Sequence, residues 1–282
     1  MACRAQAAVR WQSAVRAALA VAPDARIVVL DAGSGTLLAV GNAEQTARTL
    51  AAPGSSLKPL ILYRLLDARL WRAERRVPCG GNLVIAGHNL ACSHPRSMPF
   101  DARAALAWSC NSYFAGAALA VPAGKLGELL RPAGLLAATG LMGTEAVAEF
   151  REPRTAEETQ LAVLGIDGIR VAPLELAAAY RWLAREIAAH AESDAARTVQ
   201  AGLADSASFG MAGAASLGGV SVAGKTGTAS GVETAQTHGW FAGFAPAVQP
   251  KVVIVVYLPA GRGADAARIT GIVLAHSPLG KP

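Results

Sequence analysis

Short apolar runs bounded by turn residues predict β-strands near both ends of the chain. Arg26–Asp31 and Thr36–Val40 flank a Gly33-Ser34-Gly35 turn, so these two strands are predicted to form a hairpin. Three more apolar runs lie near the C-terminus, and they predict the strands Val220–Thr226, His238–Phe244 and Val252–Leu258.

Apolar residues at helical spacing predict helices before, between and after these strands. The residues that follow Ser55 show this spacing, and the pattern from about Phe100 to Arg197 is mostly helical. The clearest predicted helices are residues 5–20, Ala104–Leu119, Leu174–Ala189 and Ala264–Leu274. Strands, then a helical block, then strands again predict an α/β domain with a mostly helical insertion.

The composition fits one large domain with a sizeable core. The chain has 282 residues, of which 52% are hydrophobic and 16% are charged. We expect a single domain over residues 1–282, with a sheet subdomain over about 1–52 and 200–282 and a helical subdomain over about 53–199. The net charge of +6 comes from scattered arginines and aromatic residues are only 5%, so no nucleic-acid partner is expected.

No segment of the sequence predicts a signal peptide or a transmembrane helix. Arg16 interrupts the only N-terminal apolar stretch that resembles the core of a signal peptide. The apolar run Val252–Leu258 is far shorter than the roughly 20 residues that span a bilayer. We expect the chain as given to be soluble, with any export signal or anchor outside it.

Cys79 and Cys92 flank a Gly-rich, hairpin-like segment, Gly80–Ala91. This arrangement favours a local Cys79–Cys92 disulfide if the domain is exported, with free thiols as the second interpretation. Zinc is the third, because His88 and His94 lie nearby. The cysteines and histidines lack the closely paired spacing of a structural zinc site.

The stretch Pro53-Gly54-Ser55-Ser56-Leu57-Lys58-Pro59 carries the clearest candidate chemistry. Ser55 and Lys58 are three residues apart at the predicted start of a helix, so their side chains lie on one face. A serine hydroxyl is a poor nucleophile at neutral pH, and a neutral amine beside it can take its proton. On its own, Ser-x-x-Lys is more often a capping serine followed by a solvated lysine.

Two later motifs reverse that interpretation. Ser109 and Asn111 supply a hydroxyl and a carboxamide two residues apart, at the end of a helix or in a short connector. Gly224-Lys225-Thr226-Gly227-Thr228 lies on a predicted strand, where a lysine and hydroxyls can hold a carboxylate. Gly227 lets a substrate backbone approach this strand closely.

In this order, Ser-x-x-Lys, Ser-x-Asn and Lys-Thr-Gly resemble the penicillin-recognising serine acyltransferases: penicillin-binding transpeptidases, D,D-carboxypeptidases and serine β-lactamases. Ile27–Val40 is similar to the opening hairpin of that family, and His238–Pro246 is similar to the strand after Lys-Thr-Gly. The resemblance implies an antiparallel sheet flanked by helices, with a mostly helical insertion. It also implies a reaction that requires no metal or organic cofactor.

The resemblance gives each motif residue a role. Ser55 would attack the penultimate D-alanine carbonyl of a D-Ala-D-Ala stem peptide. Lys58 would be the general base, with a pKa lowered by the helix end and by the nearby cation Lys225. Ser109 would relay a proton to the departing D-alanine nitrogen, and Asn111 would bind a substrate amide.

The third motif is implied to bind substrate. Lys225, Thr226 and Thr228 would hold the terminal carboxylate, and Gly227 would admit the substrate backbone. The backbone N–H groups of Ser55 and Thr228 would form an oxyanion hole.

Asn111 favours a transpeptidase within this group. Class D β-lactamases usually have Ser-x-Val, and class A enzymes carry a Glu-x-x-Leu-Asn loop that residues 140–165 lack. We therefore expect a D,D-transpeptidase, with a D,D-carboxypeptidase, a β-lactam sensor domain, a class D-like β-lactamase and a degenerate binding module as alternatives. The implied partners are peptidoglycan stem peptides, β-lactam antibiotics and cell-wall synthesis proteins. This substrate implies a periplasmic location or the extracytoplasmic face of the inner membrane.

Overall fold

A hairpin near the N-terminus and three strands near the C-terminus form one five-stranded sheet, and most of the helices lie between them in the chain. The computed structural model describes residues 2–94, 99–230 and 236–280. The helices are α1 (Ala2–Val21), α2 (Ala43–Arg48), α3 (Lys58–Asp67), α4 (Ala102–Ala107), α5 (Asn111–Ala118), α6 (Leu126–Leu130), α7 (Ala156–Val163), α8 (Pro173–Ala189), α9 (Asp194–Ser208) and α10 (Gly263–Ala275). Within those three ranges, no helix is both long and apolar enough to cross a bilayer.

The main sheet has the strand order β2-β1-β9-β8-β7, and each neighbouring pair is antiparallel. The strands are β1 (Arg26–Asp31), β2 (Leu37–Gly41), β3 (Val84–Ile85), β4 (His88–Asn89), β5 (Glu149–Phe150), β6 (Ile169–Arg170), β7 (Ala223–Ser230), β8 (Thr237–Ala245) and β9 (Val252–Leu258). The N-terminal hairpin thus joins the C-terminal strands through β1 and β9, and β7 lies at one edge. This confirms the predicted antiparallel sheet flanked by helices.

Both faces of the sheet are buried, and successive residues of a strand face opposite sides. On one face, Val28, Val255 and Trp240 belong to a core that includes residues of α3, α8 and α9. On the other face, Ile27 and Ile254 belong to a second core that includes residues of α1 and α10. Helices on both faces explain why β9 is an uninterrupted apolar run instead of an alternating one.

The prediction of one continuous helix over Ala104–Leu119 is wrong. The chain forms two helices, α4 and α5, with a break at Ser109. Ser109 has a φ of 59°, in the left-handed region. The Cys110 N–H donates to Ala105 O at 2.9 Å, and the Ser109 N–H donates to Leu106 O at 3.3 Å. These two bonds are those of a Schellman motif, which ends a helix with a residue in this conformation.

The boundaries of the first late strand were also predicted imperfectly. The sequence predicts Val220–Thr226, whereas β7 is Ala223–Ser230 and places Lys225, Thr226 and Gly227 well inside the strand. All eight residues of β7 pair with β8, which extends the strand beyond the short apolar run. Helix α9 was not predicted as a separate element.

We predict that Ile254→Ala will lower the free energy of unfolding by about 2–5 kcal/mol, because it removes a fully buried side chain from β9 and leaves a cavity. Val248→Ala is the matched control, since Val248 is 73% exposed. Chemical denaturation of both variants measures the difference. Equal effects of the two substitutions would contradict the assigned core.

Candidate active site

Ser55 lies in a 3₁₀ turn, Gly54–Leu57, that continues directly into α3. The Lys58 backbone N–H donates to Ser55 O, which fixes the two residues one turn apart. In a 3₁₀ turn, side chains three residues apart lie one above the other. Ser55 is half-buried, whereas Lys58 is fully buried.

Three side chains that the sequence did not single out bind this turn and Ala52, two residues before it. Trp240 Nε1 donates to Ala52 O at 2.9 Å, and His238 Nε2 lies 2.8 Å from the same oxygen. The Tyr180 hydroxyl donates to Ser56 O at 2.7 Å. All three side chains are buried, so these bonds are shielded from water. Their positions in β8 and α8 are far from Ser55 in sequence, and no local pattern indicated them.

The turn packs backbone to backbone against the edge strand β7. A Cβ atom added at Gly227 would contact Pro53 O and would lie 3.0 Å from Ser56 N. A Cβ added at Gly54, whose φ is 52°, would lie 2.7 Å from Thr228 O and 3.0 Å from Thr228 N. Only glycine permits this approach from both sides. It brings the backbone of Ser55 beside that of Thr228.

Lys58 connects the first motif to the second. Its Nζ donates to Asn111 Oδ1 at 2.6 Å and to Ser109 O at 3.0 Å, and it lies 3.4 Å from Ser109 Oγ. The ring of Phe114 lies 5.1 Å from the same nitrogen. Because a hydroxyl both donates and accepts, the contact between Lys58 and Ser109 allows a proton to pass between them.

Burial lowers the pKa of Lys58 to about 7, and the charges of Cys110 and Cys92 act in the opposite direction. Lys225 is also fully buried, and its Nζ donates to Thr226 O at 3.1 Å. Burial and then the charge of Lys58 hold the pKa of Lys225 well below its ordinary value. The main cause of the low Lys58 pKa is therefore burial. The expectation from the sequence is instead a pKa lowered by the helix end and by the charge of Lys225. A neutral amine at Lys58 near pH 7 can accept a proton.

The left-handed conformation of Ser109 breaks the helix between α4 and α5, and both Ser109 and Asn111 contact Lys58 Nζ. The Asn111 amide is held from its other side, because its Nδ2 donates to Leu90 O at 2.9 Å. Both side chains are half-buried and reach the surface of the site.

Two adjoining cavities open over this arrangement. The larger has a volume of about 680 Å³ and includes Ser55, Asn111 and Thr228 in its lining. A smaller one of about 200 Å³ is lined by the same three residues together with Ser109 and Thr226. Predicted site residues therefore surround a space large enough for a peptide end. Lys58, Lys225 and Gly227 are buried and line neither cavity.

The predicted Cys79–Cys92 disulfide is not formed in the structure. The two sulfurs lie 3.3 Å apart, and Cys79, Cys92 and Cys110 are free thiols. A disulfide requires a sulfur–sulfur distance of about 2.05 Å. The first interpretation from sequence is therefore wrong for this structure, and free thiols are observed.

A known protein family matches most of the chain. The family model described as the penicillin binding protein transpeptidase domain matches residues 25–275. A comparison with curated protein sequences returned no match.

Solved structures have the same fold. The transpeptidase domain of Burkholderia pseudomallei penicillin-binding protein 3 is 20% identical, with 96% of this chain and 93% of that chain covered and a TM-score of 0.82. A Burkholderia ambifaria peptidoglycan glycosyltransferase is 19% identical, with the same coverage and a TM-score of 0.81. Pseudomonas aeruginosa PBP2, in complex with WCK 5153, is 21% identical over 94% of this chain and 76% of that chain, with a TM-score of 0.79.

We predict that Gly227→Ala will lower the free energy of unfolding by about 1–3 kcal/mol, because the new methyl group forces β7 away from the turn that carries Ser55. Gly143→Ala is the matched control, since a Cβ there has no neighbour within 4 Å. Thermal or chemical denaturation measures both variants. If Gly227→Ala is as stable as the control, the backbone contact described here is wrong.

Proposed function

This chain belongs to the penicillin-binding protein transpeptidase family, and from this membership we propose that it is a serine D,D-transpeptidase acting on peptidoglycan stem peptides that end in D-Ala-D-Ala. One observation carries the proposal. The buried Lys58 amine, whose pKa is about 7, lies within reach of Ser109 and Asn111, and these two residues line one cavity together with Ser55. This is the set of groups that an acyl transfer through serine requires.

In the proposed first step, Ser55 Oγ attacks the carbonyl carbon of the penultimate D-alanine while its proton passes to the neutral Lys58 amine. The developing oxyanion accepts hydrogen bonds from the backbone N–H groups of Ser55 and Thr228. The direct contact of Gly54 with Thr228 supports this pairing. One such donor is typically worth about 2.7–4 kcal/mol of the barrier.

In the proposed second step, the peptide C–N bond breaks and the D-alanine nitrogen takes a proton through Ser109. The 3.4 Å contact between Lys58 Nζ and Ser109 Oγ supports a relay from the protonated lysine to the leaving group. Asn111 donates to, or accepts from, an amide of the bound stem peptide. The product is an ester between Ser55 and the remaining peptide.

Substrate binding is assigned to the third motif. Thr226 and Thr228 line the smaller cavity, and their hydroxyls would hold the terminal carboxylate. Lys225 lines neither cavity and its Nζ donates to Thr226 O, so its proposed contribution is to hold the strand that carries the two threonines. Gly227 leaves room beside the strand.

In the last step, an amine of a neighbouring stem peptide attacks the Ser55 ester, the ester C–O bond breaks, and Ser55 regains a proton. Water in place of the amine would make the protein a D,D-carboxypeptidase. A β-lactam would acylate Ser55 in the same way as the peptide. These substrates place the domain in the periplasm or on the extracytoplasmic face of the inner membrane, where cell-wall synthesis proteins would be its partners.

We predict that benzylpenicillin will form a lasting covalent adduct with the chain and that Ser55→Ala will abolish it, because Ser55 Oγ is the acylated atom. Intact mass measured against time after drug addition detects the adduct. Ser208→Ala, which removes an exposed serine at the end of α9, is the matched control and should be acylated like the unmodified chain.

Other outcomes of this experiment point elsewhere. An adduct that disappears quickly while hydrolysed drug accumulates would indicate a β-lactamase. A lasting adduct without turnover of a D-Ala-D-Ala peptide would indicate a sensor domain. If the unmodified chain forms no adduct, the proposed mechanism is wrong.

We also predict that the acylation rate constant will rise with pH and level off above about 7. Lys58 must be neutral to accept the Ser55 proton, and its pKa is about 7 because of burial. Below that pH the rate should fall about tenfold per pH unit, as expected for a single essential base. Stopped-flow acylation across this range measures the profile, with circular dichroism as a check that the fold persists. A midpoint near pH 10 would show that Lys58 keeps an ordinary pKa.

A further inference from the structure

Three cysteines and one histidine lie close together beside the Ser109–Asn111 connection, and one of them, Cys110, is part of it. The ligand atoms of Cys79, Cys92, His94 and Cys110 all lie within 4.8 Å of one another. In a tetrahedral zinc site with Zn–S bonds of about 2.3 Å, neighbouring sulfurs lie roughly 3.8 Å apart. The distances among the four ligand atoms are therefore close to those around a single zinc ion.

The chemistry of the four groups selects the metal and the kind of site. Thiolates and imidazole suit zinc, whereas magnesium and calcium prefer oxygen ligands. Four protein ligands complete a tetrahedral shell, and such closed sites are structural, whereas catalytic zinc keeps a position for water. His94 and Cys110 are buried and Cys79 and Cys92 are half-buried, so the cluster is largely shielded from solvent.

We propose that Cys79, Cys92, His94 and Cys110 bind one structural Zn²⁺ ion. On binding, the three thiols release their protons to solvent and bind as thiolates, and the neutral His94 imidazole supplies a nitrogen lone pair. No other reactant and no change of oxidation state is needed. This site is separate from the acyl-transfer groups and does not depend on the proposed function.

The surroundings of the cluster fit metal-bound sulfur. The Asn111 backbone N–H donates to Cys92 Sγ at 3.2 Å, and Ser112 Oγ lies 3.3 Å from Cys79 Sγ. Hydrogen bonds of this kind orient metal ligands and tune their charge. The ring of His94 packs on the ring of Phe100 with a centroid distance of 4.4 Å, which limits its rotation.

The position of the site explains what the ion would stabilise. Most residues between Cys79 and His94 are exposed, and the only strands in this segment are the two-residue β3 and β4. A segment with so little apolar burial opens easily unless it is cross-linked. The same segment forms one wall of the larger cavity, through the residues Gly87, His88, Asn89, Leu90 and Ala91.

Zinc would join this wall to the second motif. Cys79, Cys92 and His94 come from the two ends of the wall segment, and Cys110 lies between Ser109 and Asn111. The bond from Asn111 Nδ2 to Leu90 O already links the same two parts of the protein. The ion would therefore hold the cavity wall at a fixed distance from the Lys58 contacts.

Zinc is the third interpretation of the sequence because the cysteines and histidines lack the closely paired spacing of a structural zinc site. Cys92 and His94 form one pair, Cys79 lies 13 residues before Cys92, and Cys110 lies 16 residues after His94. His88, which the sequence also suggested, is exposed in β4 and is not part of the cluster. A disulfide would use only two of the four converging groups.

The test is to measure zinc in the purified chain by mass spectrometry, and then to add Zn²⁺ or Co²⁺ to chain that has been reduced and stripped of metal. We expect about one tightly bound zinc per chain. With Co²⁺ we expect a thiolate-to-cobalt charge-transfer band and the visible bands of a tetrahedral ion. Metal removal should lower the melting temperature, and Zn²⁺ should restore it.

Matched variants locate the site. Cys79→Ser and His94→Ala should each weaken zinc binding by at least ~10–100-fold. Loss of a hydrogen-bond partner of a metal ligand already costs that much, and these variants remove a ligand itself. Cys3→Ser, in α1, and His88→Ala should bind zinc like the unmodified chain. A Cys110→Ser variant would change a buried residue and could fail to fold. Cys79→Ser changes a half-buried residue in a loop, so it tests zinc binding without that risk.

Three results would overturn the proposal: a chain that takes up no zinc, a chain that prefers another metal, and a chain in which Cys79 and Cys92 resist alkylation because they form a disulfide. Each is read from metal content or mass and needs no enzymatic activity. Failure of the zinc proposal and failure of the transpeptidase proposal are therefore distinguished, because penicillin acylation tests only the second.

Discussion

The contact between the Gly54–Leu57 turn and the edge strand β7 is the constraint on which the rest of the site depends. Gly54 and Gly227 let two backbones meet without side chains between them, and this fixes Ser55 beside Thr228. Helix α3 then starts at Lys58 and runs into the core, which buries the lysine. The turn also covers part of a strand edge that would otherwise offer unpaired backbone groups to other chains.

Burial of Lys58 and Lys225 lowers the pKa of both amines. Removing an ammonium group from water is costly, and a protein responds by shifting the pKa so that the group becomes neutral. The structure offers Lys58 oxygen acceptors from Ser109 and Asn111 but no buried carboxylate among its hydrogen-bond partners in the described residues. An ordinary ion pair would have kept the lysine protonated. This environment is suited to a base in a member of the penicillin-binding transpeptidase family.

The second motif is held by strain and by contacts from two directions. Ser109 adopts a left-handed conformation that costs a non-glycine residue about 1–2 kcal/mol. The Schellman bonds of α4 and the bonds of Lys58 and Leu90 to the Ser109–Asn111 connection offset that cost. The cysteine cluster adjoins the same connection, because Cys110 belongs to both and the Asn111 backbone N–H donates to Cys92 Sγ.

Local chemistry was predictable from the sequence because it depends on residues close together in the chain. The three-residue spacing of Ser55 and Lys58 fixes their common face in any helical turn, and the apolar runs around Ile27 and Ile254 identify buried strands. The order of the three motifs indicated the family and its fold, which the structure and the family match confirm. Features that join residues far apart in sequence required the folded structure: the pairing of β1 with β9, the bonds of Tyr180 to Ser56 and of Trp240 to Ala52, and the convergence of Cys79 with Cys110. These depend on how both faces of the sheet are covered and where each loop closes, and a spacing along the chain does not contain that information.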